Sequence, residues 1–127
     1  MSSPVFIKPE DTLKSAVTDL FIFYTGSLYV VNEQKELVGI LSRKDLLRAT
    51  LNNTDDDIPV AMIMTRMPNV VTITKDKTVL EAGEVMMSHQ IDSLPVVEVA
   101  DSLQVIGKLS KTNMMNYFIR EGKKAES

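Results

Sequence analysis

The chain repeats itself. Slid along its own length by 66 residues, Val5, Ile7, Thr12, Ala16, Ser27 and Leu28 fall on Val71, Ile73, Thr78, Ala82, Ser93 and Leu94. Val30 and Val31 fall on Val96 and Val97 in the same frame. After two extra residues near Ala100–Asp101 the offset becomes 68, and Gly39, Leu41 and Ser42 match Gly107, Leu109 and Ser110. Eleven identities over about 43 aligned positions keep one order with one small gap, which duplication explains economically. A duplicated half that cannot bury its own sheet face needs its copy as cover, so the two are expected to pack together.

Each copy reads as strand, helix, strand, strand, helix. Val5–Ile7 begins the first, and Leu13, Ala16, Val17, Leu20 and Phe21 then recur at helical spacing, with Gly26 expected to end that helix. SLYVV and ELVGIL are strands about a turn at Asn32–Lys35, and RKDLLRATL returns to helix. The second copy follows with VVTI, TVLEAGEVMMSH, LPVVEV, LQVIGKL and KTNMMNYFIRE. Between the copies, the acidic front of NNTDDDIPVAMIMTRMP reads as a solvated linker and PVAMIM as a short helix with Pro59 in its first turn. The expected fold class is α/β: two pseudo-symmetric strand–helix–strand–strand–helix repeats packed as one module. Repeat one with its linker spans 1–57, and repeat two with connecting helix and C-terminal tail spans 58–127.

Composition narrows function mainly by exclusion. A net charge of −3 argues against a dedicated nucleic-acid surface, and the absence of cysteine removes disulfides and thiolate metal sites. A single histidine, His89, rules out a multi-histidine metal site and leaves little material for a nucleophile–base pair, so an enzyme is not expected. Asp55, Asp56 and Asp57 read as solvated linker rather than a cation site. Met62, Met64, Met67, Met86, Met87, Met114 and Met115 read as adaptable filler of cores and interfaces. No stretch is long enough to span a membrane, and the opening MSSPVFIKP lacks the features of a secretion signal, so a cytoplasmic location is expected. The abrupt first strand suggests a fragment of a longer protein.

The repeated turn, GILSRKD at 39–45 and GKLSKTN at 107–113, carries the functional question. Glycine permits close backbone approach, the serine sits where a helix begins, and the residue three positions on lies in the first helical turn. Ser42-x-x-Asp45 therefore resembles a helix-capping box, as does Thr78-x-x-Glu81. The same atoms suit a nucleotide: helix N-termini attract anions, a hydroxyl meets phosphate, and a carboxylate accepts both hydroxyls of a ribose. Spacing alone leaves both readings open.

SLYVVNEQKELVGILSRKDLL at 27–47, SLPVVEVADSLQVIGKLSKTNMM at 93–115 and the connecting IPVAMIMTRMPNVVTI at 58–73 together resemble a tandem CBS domain pair, or Bateman module. LSRKDLLRA, IMTRMPN and HQID-x-LPVV further resemble the regulatory half of the CcpN-type bacterial repressors of gluconeogenic genes. That resemblance implies a homodimeric module binding AMP, ADP, ATP or S-adenosylmethionine as a regulatory ligand, not a cofactor. DNA would be met only through a helix-turn-helix domain not present in this sequence.

Residue by residue, the resemblance implies a first pocket of Ile40, Ser42 and Asp45, faced by Ile63, Ile91 and Asp92. Asp45 would take the ribose hydroxyls, Ser42 ribose or phosphate, and Arg43 or Lys44 phosphate charge. A second pocket of Lys108, Ser110, Lys111 and Asn113 departs from the pattern, because Asn113 replaces the aspartate and Lys108 the apolar Ile40. It would be empty, weaker, or suited to phosphate. Against this stand two other classes: a structural dimerisation module with degenerate pockets, and a nucleotide hydrolase or transferase, which lacks base, metal cluster and glycine-rich phosphate loop.

Overall fold

The structure, a computed structural model, describes residues 2–126, with side chains as far as Glu121. Its elements run β1 (Phe6–Ile7), α1 (Leu13–Ile22), β2 (Ser27–Val31), β3 (Leu37–Ser42) and α2 (Arg43–Leu51). A 3-10 turn (Val60–Met62) and β4 (Thr65–Arg66) lie between the copies. Then follow β5 (Ile73–Thr74), α3 (Val79–His89), β6 (Ser93–Val97), β7 (Val105–Ser110) and α4 (Lys111–Glu126).

The duplication seen in sequence is matched in register. In repeat one β1 runs parallel to β2 and β2 antiparallel to β3, with Ser27 opposite Ser42 and Leu28 opposite Leu41. In repeat two β5, β6 and β7 pair in the same senses, with Ser93 opposite Ser110 and Leu94 opposite Leu109. Both ladders shift register at the same place, between Val30 and Val31 and between Val96 and Val97.

Each sheet covers one apolar core. Ala16, Leu28, Val30, Leu41 and Val60 gather in the first, and Ala82, Met86, Leu94, Val96 and Met114 in the second. A fully buried Leu or Val side chain stabilises by about 1.5–3 kcal/mol relative to exposure, so these few positions hold each half together. A third cluster, Tyr29, Leu37 and Val70 with Ile40, Met67 and Val105 packed against it, joins the halves. The Leu37 N–H donates across to the Leu103 carbonyl at 2.8 Å. Of the methionines, Met64, Met86 and Met114 are core, whereas Met62, Met87 and Met115 are exposed.

Several local expectations are corrected. Helix α1 does not run to Gly26: it ends at Ile22, and Tyr24, not glycine, takes the left-handed conformation (φ 50°). Its equivalent in repeat two, Gln90 (φ 54°), is also left-handed and is itself the C-cap of α3. PVAMIM forms only a 3-10 turn, and Pro59 stands before it as the cap rather than inside it.

The segment between the copies also supplies β4, which pairs with β3 by setting Arg66 opposite Gly39 and Thr65 opposite Ile40. A side chain on Gly39 would meet Met64 Sδ at 2.5 Å and the Thr65 carbonyl at 2.8 Å, so glycine is required there by close approach. Ser2 makes the matching contact on the other sheet, bridging Lys108. Sheet membership thus crosses the sequence division at 57/58.

Candidate functional site

A cleft of about 1050 Å³ lies between the repeats, and both Ser turns open into it. Sites for small molecules commonly run to about 300–1,000 Å³, so the space suits a nucleotide or more. Five basic side chains and two carboxylates line it, although the whole chain carries −3.

The first half forms where β3 enters α2. Ser42 caps α2: its Oγ accepts the Asp45 N–H, and Asp45 Oδ2 accepts both the Ser42 N–H (2.8 Å) and the Ser42 hydroxyl (3.0 Å). Asp45 Oδ1 accepts the Thr65 hydroxyl from β4 at 3.1 Å and pairs with Arg48. Only 2% of Asp45 is exposed. Four donors fill both oxygens, and the one able to leave without unburying anything is Arg48, whose side chain is 63% exposed. Any further donor reaching Asp45 therefore has to displace Arg48.

Repeat two builds the same turn with neutral atoms. Asn113 Oδ1 accepts the Ser110 N–H (3.0 Å), the Ser110 hydroxyl (2.8 Å) and the Ser2 hydroxyl (2.9 Å). Ser2 does here what Thr65 does in the first half. Among the described residues no cation takes the place of Arg48, whose equivalent is Asn116. Lys108 lies opposite Pro95, where repeat one sets Ile40 opposite Tyr29. Its ammonium reaches across to repeat one and donates to Thr25 Oγ1 at 2.7 Å. Burial pulls its pKa below the usual lysine value.

At the junction of the halves the Ser27 and Ser93 hydroxyls, equivalent residues of the two copies, lie 2.9 Å apart. The Tyr29 hydroxyl is buried beside them with no hydrogen-bond partner among the described residues, and burial pushes its pKa up.

Of the residues expected from sequence, Ile40, Ser42, Arg43, Lys44 and Asp45 line the cleft together with Ile91 and Asp92. Lys108, Ser110, Lys111 and Asn113 line it too, so the two expected pockets are halves of one space. Lys44 is partly committed, donating to the Gln90 carbonyl at 2.7 Å. Ile63 is elsewhere: it packs on the first core, and Thr65, Asn69, Val70 and Val71 supply that wall. Thr25 belongs to no motif, yet it is the repeat-one equivalent of Ile91 and the alignment alone points to it. Ser2, Arg48 and Thr65 carry no motif signal.

The CBS domain family matches residues 1–52 and 60–120. The chain belongs to the CBS domain family. It is 38% identical over 120 residues to the transcriptional repressor CcpN of Bacillus subtilis, covering 93% of this chain and 57% of that protein. Over 96 residues it is 31% identical to the inosine-5′-monophosphate dehydrogenase of Aquifex aeolicus, spanning 19% of that enzyme and 76% of this chain. The chain thus matches about half of one relative and a fifth of another.

Among solved structures, the CBS domain pair of protein MJ0100 in complex with 5′-methylthioadenosine and S-adenosyl-L-methionine superposes with a TM-score of 0.83 at 26% identity, covering 95% of this chain and 92% of that one. The CBS domain protein PAE2072 from Pyrobaculum aerophilum, complexed with AMP, gives 0.78 at 25% identity, covering 89% and 84%. CBS pairs are regulatory modules, and this chain is a CBS pair. No helix among the described residues is long and apolar enough to cross a membrane.

Proposed function

We propose that this CBS pair senses an adenosyl nucleotide, AMP, ADP or ATP, and passes its occupancy to the rest of a bacterial transcriptional repressor. The observation that carries the proposal is the inter-repeat cleft with the Ser42–Asp45 turn at one end, in a fold whose solved relatives hold AMP or S-adenosylmethionine. Adenine lies against Ile40 and Ile91, and Asp45 takes the ribose hydroxyls once Arg48 swings away. The freed guanidinium is then available to phosphate. Likeness to the transcriptional repressor CcpN supports a repressor as the whole protein; the resemblance of LSRKDLLRA and IMTRMPN to CcpN-type repressors extends the proposal to gluconeogenic genes, with DNA contacted by a separate helix-turn-helix domain.

Homodimer formation belongs to the same proposal. Exposed Phe21, Leu47 and Leu51 of repeat one have pseudo-symmetric counterparts in exposed Met87, Met115 and Ile119 of repeat two. A paired apolar face of this kind suits a second copy of the chain.

Isothermal titration with AMP, ADP, ATP and S-adenosylmethionine, on the wild type and on Asp45→Ala, tests the sensor. One adenosyl ligand should bind, and lose most of its affinity in the variant. One observation favours a second reading: four protein donors already saturate Asp45, as a purely structural cap requires. Silence from all four ligands, with a folded dimer by sedimentation, would leave a dimerisation module.

A further inference from the structure

We infer that the repeat-two half of the cleft is a phosphate subsite, built from Lys108, Asn113, Lys111 and Arg43, and not a second nucleoside site. The inference rests on the proposed nucleotide function where the phosphate arrives on a nucleotide, and stands apart from it where the anion is free.

Two substitutions relative to the first half change its chemistry in one direction. Lys108 stands where Ile40 offers an apolar face, and Asn113 stands where Asp45 offers a negative acceptor. Each removes something a nucleoside uses and adds a donor. The orientation of Asn113 is fixed, because the Ser110 N–H needs an acceptor and finds Oδ1 at 3.0 Å. Its Nδ2 is left with no protein partner among the described residues, and the residue lines the cleft.

Lys108 is 8% exposed, and its ammonium donates to one neutral hydroxyl, Thr25 Oγ1. An ammonium carries three donors, and a buried charge left without a counter-charge is costly. Among the described residues no carboxylate lies within ion-pair distance of it; the pairs formed are Arg48–Asp45 and Lys75–Glu98. The Arg43 guanidinium lies 3.4–3.5 Å from where a side chain on Gly26 would begin. Two cations from different repeats therefore meet at Thr25–Gly26. Lys111 adds a third at the start of α4. Of the two carboxylates lining the cleft, Asp45 is held by Arg48, which leaves Asp92 alone against these cations. A phosphate supplies the missing counter-charge and enough oxygens to accept from all of them.

Calorimetry on the whole chain with adenosine, ADP and inorganic pyrophosphate, comparing wild type with Lys108→Met, Arg43→Met and Asp45→Ala, tests this. The wild type should bind one ADP per chain, more tightly than adenosine by about tenfold or more. Lys108→Met should erase that advantage and leave adenosine unchanged; Arg43→Met, at an exposed position, does the same if the lysine variant fails to fold. Pyrophosphate binding alone, dependent on Lys108, identifies a free-anion site. ADP dependence on Lys108 without pyrophosphate binding shows that the nucleotide delivers the phosphate. Lys108-dependent pyrophosphate binding with no response to adenosine or ADP sinks the nucleotide-sensor proposal and keeps this one. ADP binding that needs Asp45 but ignores Lys108 and Arg43 does the reverse. Two nucleosides per chain, or no binding of any probe, overturns the phosphate subsite.

Discussion

The two ends of the cleft have the same backbone and opposite chemistry. Ser42 and Ser110 end equivalent strands, cap equivalent helices, and sit opposite Ser27 and Ser93 in the same register. At one end a buried aspartate is neutralised by arginine and hydrogen-bonded by threonine. At the other, an asparagine needs no neutralising, and among the described residues a buried lysine has no carboxylate within ion-pair distance. Duplication preserved what the fold requires, the helix caps and the ladder. Side chains facing the shared space were free to diverge, because capping uses only one carbonyl-type oxygen and Asp and Asn both have it.

The sharpest way to break this comparison is to delete the two equivalent side chains. Asp45→Ala should destabilise by about 2–4 kcal/mol, since it removes a cap and strands the Ser42 N–H and the Thr65 hydroxyl. Asn113→Ala should cost about 1–2 kcal/mol by the same measure. Equal losses in urea denaturation would mean that the charge at position 45 adds nothing. Because Asp45→Ala weakens the fold as well as the site, Asp45→Asn is the cleaner binding variant: it imitates repeat two and should keep the cap.

Gly39→Ala probes what β4 does for repeat one. The new methyl group meets the Thr65 carbonyl, which is backbone and yields poorly, so a loss of about 1–3 kcal/mol is expected in a thermal melt. An unchanged melting temperature would show that β4 is loosely held. Ser42→Ala and Ser110→Ala should each cost about 1 kcal/mol, and their near equality is the prediction. A large difference would mean the two caps are not equivalent.

The smallest effect is in the pH dependence. Burial lowers the Lys108 pKa in the folded chain below its ordinary 10.5. Between the two values the unfolded chain holds more protons, so the Lys108 contribution to stability rises with pH through that window. It is unfavourable below the window and vanishes above 10.5. Lys108→Met should therefore be more stable than wild type at neutral pH, with the gap closing as pH approaches 10.5. A gap independent of pH would indicate that packing, not charge, separates the two proteins.

Much of this molecule is local in origin, and sequence determined it. Short apolar runs such as SLYVV and SLPVV specify the strands, and Thr78-x-x-Glu81 and Ser42-x-x-Asp45 specify helix starts because partners three residues apart find each other whatever the rest of the chain does. The identities at offsets 66 and 68 then carry one copy's register into the other. Where a local rule failed, as at Gly26, the chain stopped its helix earlier with Tyr24, a residue in which sequence shows no preference for φ above zero. Only the tertiary structure decided what surrounds the Ser turns. Thr65 reaches Asp45 across 20 residues, Lys108 reaches Thr25 across 83, and Ser2 reaches Asn113 across 111. Separations of that length leave no periodic trace, since each contact exists only because two sheets built from different parts of the chain are pressed together. Whether a carboxylate is already spent, and whether a lysine lacks a counter-charge, is settled by those contacts.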